Sequence, residues 1–282
     1  MNLLLITHGS RDPRYAASFA ALCARLRQDG HRAEVGHLGL CGPDPAGAAA
    51  ALARGLSADT VAPGRERVVA VPMFLGHGYH VTHDVPAALS TARAVLVGRA
   101  AVVAAAPLGP DPLLVEAMES RLRELGVWPG DPEVAVLMAS AGSSDPGVRA
   151  GMAAAAAWWA RSGWHGVTPA YAAGGGPDVA AALASARAAG AAEAVVASYF
   201  LAPGHLADRV ALAAAGAPMS APFLTPADAD PALVRLVLRR AAQALEPAAA
   251  AGGPARHRGQ GRAGRTHSVQ DASTRARSAA RS

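Results

Sequence analysis

The 282-residue chain contains no lysine and few aromatic residues. Phe, Trp and Tyr together make up only 4% of it, although 51% of its residues are hydrophobic. Its core must therefore be built mainly of Ala, Val and Leu. A chain of this length can form one large domain or two small ones, each with a substantial core.

Cysteine and long apolar runs are also scarce. Cys23 and Cys41 are the only two cysteines and lack CxxC spacing, which favours a reducing compartment. No run reaches ~18 apolar residues without a charge or a proline, which argues against a membrane span. The apolar start 1–6 is too short for a signal peptide. We therefore expect a cytoplasmic protein that has no membrane partner.

The formal charge of +5 is unevenly distributed. Residues 247–282 contain seven Arg and one Asp, which is +6, so the remainder of the chain carries about −1 by subtraction (5 − 6). A nucleic-acid-binding protein would carry a basic face on its folded body, so we expect no nucleic-acid partner. The segment 247–282 has no apolar period and is predicted to be a disordered basic tail. An RNA- or membrane-binding arm is the alternative.

Short apolar runs alternate with longer Ala-rich stretches in the first half of the chain. The predicted strands are 2–6, 32–38, 67–73 and 100–105. The predicted helices are 14–28, 44–56, 84–94 and 111–125. This alternation is typical of an α/β fold, in which a parallel sheet is flanked by helices on both faces.

The pattern then repeats, which indicates an internal duplication. Leu3 to Pro13 is matched by Ala135 to Pro146, and Gly42-Pro43-Asp44 by Gly176-Pro177-Asp178. Phe74-Leu75 followed by His80 is echoed by Phe200-Leu201 followed by His205. The sequence therefore predicts an active N-terminal lobe over 1–126 and a degenerate C-terminal lobe over 133–246. The turn-rich segment between them is a hinge.

Two histidines follow predicted strands of the first lobe. His8 follows the first strand and His80 comes shortly after the third. In an open sheet of order 2-1-3-4, strands 1 and 3 are neighbours whose connections leave toward opposite faces, which opens a crevice at their carboxyl ends. Both imidazoles would then face this crevice. Each histidine alone is more often structural than functional.

These residues resemble a known family. The His-Gly-Ser element at 8–10 and the element Pro-x-Phe-Leu-x-x-Gly-x-His-x-x-x-Asp-x-Pro at 72–86 are similar to those of the sirohydrochlorin chelatases, a branch of the class II tetrapyrrole chelatases. The resemblance implies a pair of flavodoxin-like lobes, with a tetrapyrrole bound in the cleft between them. It also implies a monomer with no permanently bound cofactor and no need for ATP.

The resemblance assigns the two motif histidines to His8 and His80, as catalytic residues and as ligands of the metal. The metal ion is a substrate: Fe²⁺ to give sirohaem, Co²⁺ for cobalamin, or Ni²⁺. Neutral imidazole binds such borderline metals well. It can also accept the protons that metallation displaces from the pyrrole nitrogens.

The chain departs from the family pattern at two places. His8 is matched by Ala141, so we expect one active site per chain, with His205 contributing little. The family often has an acidic residue after strand 2, whereas this chain reads His37-Leu38-Gly39. His37 is a possible auxiliary residue there, and a core or surface histidine is the alternative.

Further candidates surround the two histidines. His77 and His83 form either a metal-collecting cluster with His80 or, as we favour, two spare histidines, and Asp84 is predicted to cap a helix. Ser10, Arg11 and Gly78 are candidate substrate-binding residues. Glycine allows close approach to a flat ligand. Arg11 and Arg14 are placed to pair with substrate carboxylates, or to be solvated.

Two other functions compete with chelation. A histidine phosphatase also begins with an apolar strand that ends in His-Gly, but it needs an Arg before the histidine, where this chain has Thr7. The other alternative is a protein that carries a tetrapyrrole or a metal without catalysing its insertion.

The composition of the tail leads to a first prediction. Truncation after Glu246 should leave the melting temperature and the activity nearly unchanged, because residues 247–282 have too little apolar content to join a core. Calorimetry of the truncated and full-length chains checks this. A melting temperature lowered by several degrees would show that the segment packs on the body.

Overall fold

A computed structural model describes residues 1–56, 66–76 and 78–246 of the chain. The first sheet is formed by β1 (Asn2–Thr7), β2 (Arg32–His37), β3 (Arg67–Pro72) and β4 (Ala101–Ala104). All pairs are parallel and the order is β2-β1-β3-β4. The predicted order is confirmed, and each predicted strand boundary is within one residue of the observed one.

Three of the five helices described in the first half begin at Asp-Pro pairs. The five are α1 (Pro13–Gln28), α2 (Pro45–Gly55), the single turn α3 (Tyr79–Thr82), α4 (Asp84–Val95) and α5 (Pro112–Arg123). Asp12, Asp44 and Asp111 cap α1, α2 and α5, each accepting a hydrogen bond from a first-turn N–H. Proline suits the first helical position because its missing N–H is not needed there. The turn α3 was not predicted.

Alternate residues of the central strand face opposite layers, as expected for a sheet buried on both sides. Leu3 and Leu5 of β1 pack with the α1 side, while Leu4 and Ile6 pack against α2 and α4. The chain therefore leaves β1 toward one face and β3 toward the other. This arrangement creates the crevice between the ends of β1 and β3.

The second half repeats this design in reduced form. Its sheet has the order β6-β5-β7, from β5 (Val134–Ser140), β6 (Gly166–Tyr171) and β7 (Glu193–Ser198). Its helices are α6 (Pro146–Trp159), α7 (Val179–Ala188), α8 (His205–Ala213) and α9 (Pro231–Leu245). In place of a fourth strand, Met219 makes an isolated parallel bridge with Val196. The predicted α/β fold with two parallel sheets is confirmed.

The two halves share one apolar layer. Helix α9 of the second half packs against β3, β4 and α5 of the first half, and α5 packs against β7. Side chains of both sheets and of α1, α5, α6 and α9 form one continuous core between the sheets. Residues 1–246 accordingly form one compact unit.

A buried arginine joins the halves at this layer. Arg121 of α5 has only 3% of its side chain exposed and makes two parallel hydrogen bonds of 3.0 Å to the Asp228 carboxylate. Its Nη2 also donates to the Phe223 carbonyl at 3.1 Å. Such a bidentate pair fixes orientation as well as charge. It links α5 to the loop that leads into α9.

None of the helices within the described ranges is long and apolar enough to cross a membrane. The predicted tail, 247–282, lies outside the described residues.

We expect the substitution Arg121→Met to lower the free energy of unfolding by about 2 kcal/mol, because it removes charge-assisted hydrogen bonds from a buried site. Arg123→Met is the matched control on the same helix. Arg123 forms an exposed i,i+4 pair with Glu119, so its loss should cost less than about 0.5 kcal/mol. Urea unfolding of both variants measures the difference. Equal losses of unfolding free energy in the two variants would show that the buried pair stabilises the fold no more than the exposed pair does.

The same pair makes stability depend on pH. The hydrogen bond from Arg121 lowers the pKa of the Asp228 carboxyl below its ordinary value. The ionised carboxylate therefore stabilises the fold at every pH above the pKa that Asp228 has in the unfolded chain. This contribution is lost as pH falls through the lowered folded value. The difference in unfolding free energy between wild type and Arg121→Met should therefore shrink in acid. A difference that stays constant from neutral pH down to pH ~2.5 would contradict this.

Candidate active site

His8 lies directly after β1, where a glycine lets the chain turn. Gly9 has φ +92°, and a Cβ added there would come within 1.9 Å of the Gly39 carbonyl oxygen. Only glycine fits such a position. The His8 and Thr7 carbonyls accept hydrogen bonds from Gly39 and Leu38, at 3.1 and 2.8 Å. These bonds fix the His8 backbone beside the end of β2.

Both histidines have one ring nitrogen engaged by an acceptor. Nδ1 of His8 donates to the Gly9 carbonyl at 3.0 Å, and Nδ1 of His80 donates to the Asp84 carboxylate at 2.5 Å. Carbonyl and carboxylate oxygens only accept, so they fix the proton of a neutral ring on Nδ1. Nε2 of each ring is then left with its lone pair. This is the form in which imidazole binds metals or accepts protons.

The carboxylate of Asp84 therefore has a different role from the one predicted. It was expected to cap α4, but His83 occupies the cap position without a capping side-chain bond, and Asp84 is the first residue of the helix. Its side chain instead holds His80, four residues earlier. The spacing of four on a helical turn is the sequence signal for this contact.

The two imidazoles lie side by side. The ring centroids of His8 and His80 are 4.4 Å apart and the ring planes are at 76°. His80 also stacks against Phe74, at 6.2 Å and 21°. Two rings that share one ion, each at ~2 Å from it, must lie within a few ångström of each other. The structure thus brings together two residues that are 72 positions apart in the sequence.

A cavity of about 750 Å³ opens at His8 between the two halves. This volume is within the range of small-molecule sites. The first half contributes His8, Ser10, Leu40 and 73–76, and the second half contributes 140–143, Arg149, Tyr171 and 199–207. The lining is mainly apolar. Among the described residues that line it, Asp145 and Arg149 are the only Asp, Glu, Lys or Arg side chains, and His8 and His205 are its histidines.

The second half contains the same backbone arrangement without the histidine. Ala141 takes the place of His8, and its carbonyl accepts from Ala173 at 3.1 Å. Gly142 has φ +91°, and a Cβ there would come within 1.7 Å of the Ala173 oxygen. The alignment of His8 with Ala141, made on sequence, thus agrees with the hydrogen bonds. His205 begins α8, is exposed, and lines the cavity from the second half.

The predicted substrate-binding residues do not all line the cavity. Ser10 lines the cavity, and its Oγ accepts from the Asp12 N–H. Arg11 is exposed in a smaller recess beside the cavity, with His205 and Asp208. Gly78 precedes α3 and has open space where a Cβ would be. His77 lies outside the described residues.

Arg14 and His83 are held by side chains other than His8 and His80. Arg14 bridges Asp12 and Asp208, at 2.6 and 2.5 Å, and so links the two halves at the smaller recess. His83 stacks on Tyr79, with centroids 4.2 Å apart, and its Nδ1 contacts Thr82 and Tyr79.

His37 is buried with 2% of its surface exposed. It packs edge-on against Phe19, and desolvation lowers its pKa, so burial favours the neutral ring. Its Nδ1 has no hydrogen-bond partner among the described residues. His37 is not part of the cavity lining, which it approaches through Tyr15, with ring centroids 6.2 Å apart.

Sequence reasoning missed two residues of the second half. Tyr171 and Arg149 both line the cavity. Tyr171 takes the place of His37, since the two backbone N–H groups donate to the Pro177 and Pro43 carbonyls at 3.0 and 2.8 Å. The offset of the duplication would have indicated Tyr171. Burial raises its pKa, against a lowering effect of the Arg149 charge, so the hydroxyl is protonated at neutral pH.

Within the ranges that the structure describes, no group of three His, Cys, Asp or Glu side chains is arranged to hold a metal ion. The His8–His80 pair offers two ring nitrogens at the cavity edge, and the carboxylate of Asp84 is hydrogen-bonded to one of the two rings.

Solved structures with the same fold are known. The chain resembles SirB, the sirohydrochlorin chelatase of Bacillus subtilis subspecies spizizenii in complex with cobalt, with 19% identity, a TM-score of 0.65, and coverage of 86% of this chain and 95% of the other. For SirB from Bacillus subtilis with Fe³⁺ the identity is 21%, the TM-score 0.64 and the coverage 86% and 96%. For CbiX, described as the terminal enzyme for biosynthesis of siroheme in denitrifying bacteria, the values are 18%, 0.56, and 87% and 100%. At these identities the likeness shows a shared fold.

Comparison by sequence gives the family. No curated protein matches the chain. The CbiX family model matches it twice, over residues 2–125 and 135–244. Both halves of the duplication carry the same domain, and together they cover most of the sequence. The chain belongs to the CbiX family.

Proposed function

We propose that this protein is a sirohydrochlorin chelatase, which inserts a divalent first-row metal ion into the tetrapyrrole without ATP. The observation that carries the proposal is the His8–His80 pair, whose ring centroids are 4.4 Å apart, beside a cavity of about 750 Å³. Both rings have Nδ1 bound to an acceptor and Nε2 available. Membership of the CbiX family and the fold shared with SirB support the same activity.

The pair suits an ion that must be taken up and released. Two imidazole nitrogens bind borderline divalent ions such as Fe²⁺, Co²⁺ and Ni²⁺, but they leave most coordination positions open. The pyrrole nitrogens can then replace water on the same ion. A site that bound the metal through four protein ligands would hold it too firmly for transfer. Iron, which gives sirohaem, is the first choice, and cobalt is the alternative.

Insertion also displaces two protons from the pyrrole nitrogens, and the reaction balances only if these protons leave. As the pyrrole nitrogens displace the two imidazoles from the ion, the Nε2 lone pair of each ring becomes free, and each ring can accept one of the two protons. The Asp84 carboxylate next to His80 stabilises the imidazolium that forms, as an opposite charge does. We therefore assign Asp84 as a positioning residue for His80, and His8 and His80 as the residues that contact metal and ring.

We place one active site in each chain, in the first half, in a cytoplasmic monomer. The cavity is shared by both halves, but Ala141 has replaced the equivalent of His8 in the second half. Ser10 and Arg11 remain proposed contacts of the substrate at the cavity and its recess. We do not assign a role to His37, which packs in the core.

The two alternatives are less well supported. In a phosphatase, the residue before the histidine would be an arginine that binds phosphate, whereas Thr7 is buried and shares a hydrogen bond with Tyr15. A carrier would use the same cavity, and turnover separates it from an enzyme. The test is an absorbance assay with metal-free sirohydrochlorin and Fe²⁺, Co²⁺ or Ni²⁺, without ATP. More than one metallation per chain supports the enzyme, and stoichiometric binding alone would overturn it.

Substitution of the histidines should separate their roles. We expect His8→Ala and His80→Ala each to lower the metallation rate by at least ~100-fold, which is ~2.7 kcal/mol or more of transition-state stabilisation. Asp84→Asn should lower it by about 10-fold, because a partner that orients a metal ligand typically has an effect of this size. Initial rates at saturating tetrapyrrole, corrected for spontaneous metallation, give the values.

Two matched controls belong to this series. His83→Ala removes a histidine from the same loop, where the ring is stacked on Tyr79, and His205→Ala removes the second-half histidine that lines the cavity. Each should change the rate by less than about fivefold. Equal losses for His8, His80 and His205 would mean that both halves supply essential groups, and the proposal of one site would be wrong.

A further inference from the structure

Arg149 on the second-half wall of the cavity stands out by its charge. It is the one arginine among the described residues that line the cavity, and its guanidinium makes no ion pair within the described part of the chain. The side chain is half-buried. A cation in a mainly apolar cavity is poorly solvated unless an anion joins it.

Its position is fixed by the surrounding backbone. Nη1 donates to the carbonyls of Ser143 and Ser144, at 2.8 and 2.9 Å. Gly175, with φ +69°, leaves the room that the guanidinium needs, since a Cβ there would come within 3.0 Å of Nη1. These bonds engage one of the three guanidinium nitrogens. The planar fork of arginine is thus held in place while its other N–H donors stay available.

Tyr171 lines the same cavity and is near enough to Arg149 for that charge to act on the pKa of its hydroxyl. Gly176 makes room for its ring, because a Cβ there would come within 2.4 Å of Cδ2 and Cε2. Tyr171 is buried, with only 7% of its surface exposed. Its hydroxyl nevertheless makes no hydrogen bond to the residues that the structure describes. Arg149 and Tyr171 therefore present unpaired donors to the same cavity. The other charged side chain of the lining, Asp145, uses its Oδ1 to cap α6 at the Gly147 N–H.

We propose that Arg149 and Tyr171 form a carboxylate-binding subsite, which holds an acidic side chain of the tetrapyrrole against the second half. The inference rests on the proposed function and adds a role for the half that has lost His8. A carboxylate accepts two parallel hydrogen bonds from a guanidinium, and a neutral phenol adds a third. The wall opposite His8 would then set the position of the macrocycle, while the first half handles the metal.

Binding of metal-free sirohydrochlorin, with no metal ion present, tests this directly. We expect Arg149→Met to raise Kd about tenfold and Tyr171→Phe about threefold, as the loss of charged and neutral hydrogen bonds does. Arg149→Lys should lie between Arg149→Met and wild type, because it keeps the charge but not the fork. Arg187→Met is the matched control: it removes an exposed arginine from α7 of the same half, and Kd should stay within about twofold.

Ionic strength distinguishes a charge contact from a structural role. Kd of wild type should rise with added salt, and this dependence should be weaker in Arg149→Met, since screening acts only on the charge that remains. A merely structural role would leave the dependence unchanged. If Arg149→Met loses the fold with its contacts to Ser143 and Ser144, Tyr171→Phe carries the test, because it removes a hydroxyl that has no partner in the described structure.

The outcomes separate the inference from the proposed function. If wild type binds the tetrapyrrole and both Arg149→Met and Tyr171→Phe bind it equally well, the subsite is wrong and the chelatase proposal is unaffected. If the Kd changes occur as expected but wild type never exceeds one metallation per chain, the subsite stands and the enzyme proposal fails. If wild type does not bind the tetrapyrrole, both are wrong.

Discussion

The structure depends on one apolar layer that two sheets share. Each sheet buries one face in the same core, and α5 and α9 each pack against the opposite half. Neither half can bury that face with its own helices alone, so the halves are fixed relative to each other. The cavity between them follows from this, because the ends of β1 and β5 reach it from opposite walls. The buried Arg121–Asp228 pair lies on the same connection between α5 and α9.

The two halves share a backbone arrangement but differ in the side chains that it carries. In both halves a glycine of positive φ follows the central strand and approaches a carbonyl too closely for any Cβ, at Gly9 and at Gly142. Steric exclusion of this kind permits no substitution. The neighbouring side chain is not constrained in this way, and His8 in one half is Ala141 in the other. A single cavity between unequal halves can therefore divide its tasks, with metal on one wall and substrate carboxylate on the other.

The orientation of His8 and His80 is set by the hydrogen-bond acceptors next to their rings. An imidazole that rotates freely presents either nitrogen, whereas the Gly9 carbonyl and the Asp84 carboxylate each fix a proton on Nδ1. In both rings Nε2 is then the nitrogen with the free lone pair, which is the ligand and base in the proposed reaction. The apolar stacking of His80 on Phe74 limits ring motion further. The proposed chemistry thus depends on the contacts that orient the two rings as well as on the rings themselves.

The sequence by itself determined the strands, the sheet order, the duplication and the candidate pair His8 and His80. Apolar strand runs and Asp-Pro caps are local properties, so they can be read along the chain. Only the tertiary structure showed that Asp84 binds His80 and does not cap α4, that His37 is buried, and that Arg149 and Tyr171 face the cavity. The Asp84–His80 contact depends on where α3 ends and α4 begins, whereas the burial of His37 and the positions of Arg149 and Tyr171 depend on contacts between residues far apart in the chain. No local pattern shows that α5 and α9 pack against the opposite halves, because the apolar residues that each helix contacts lie far away in the chain.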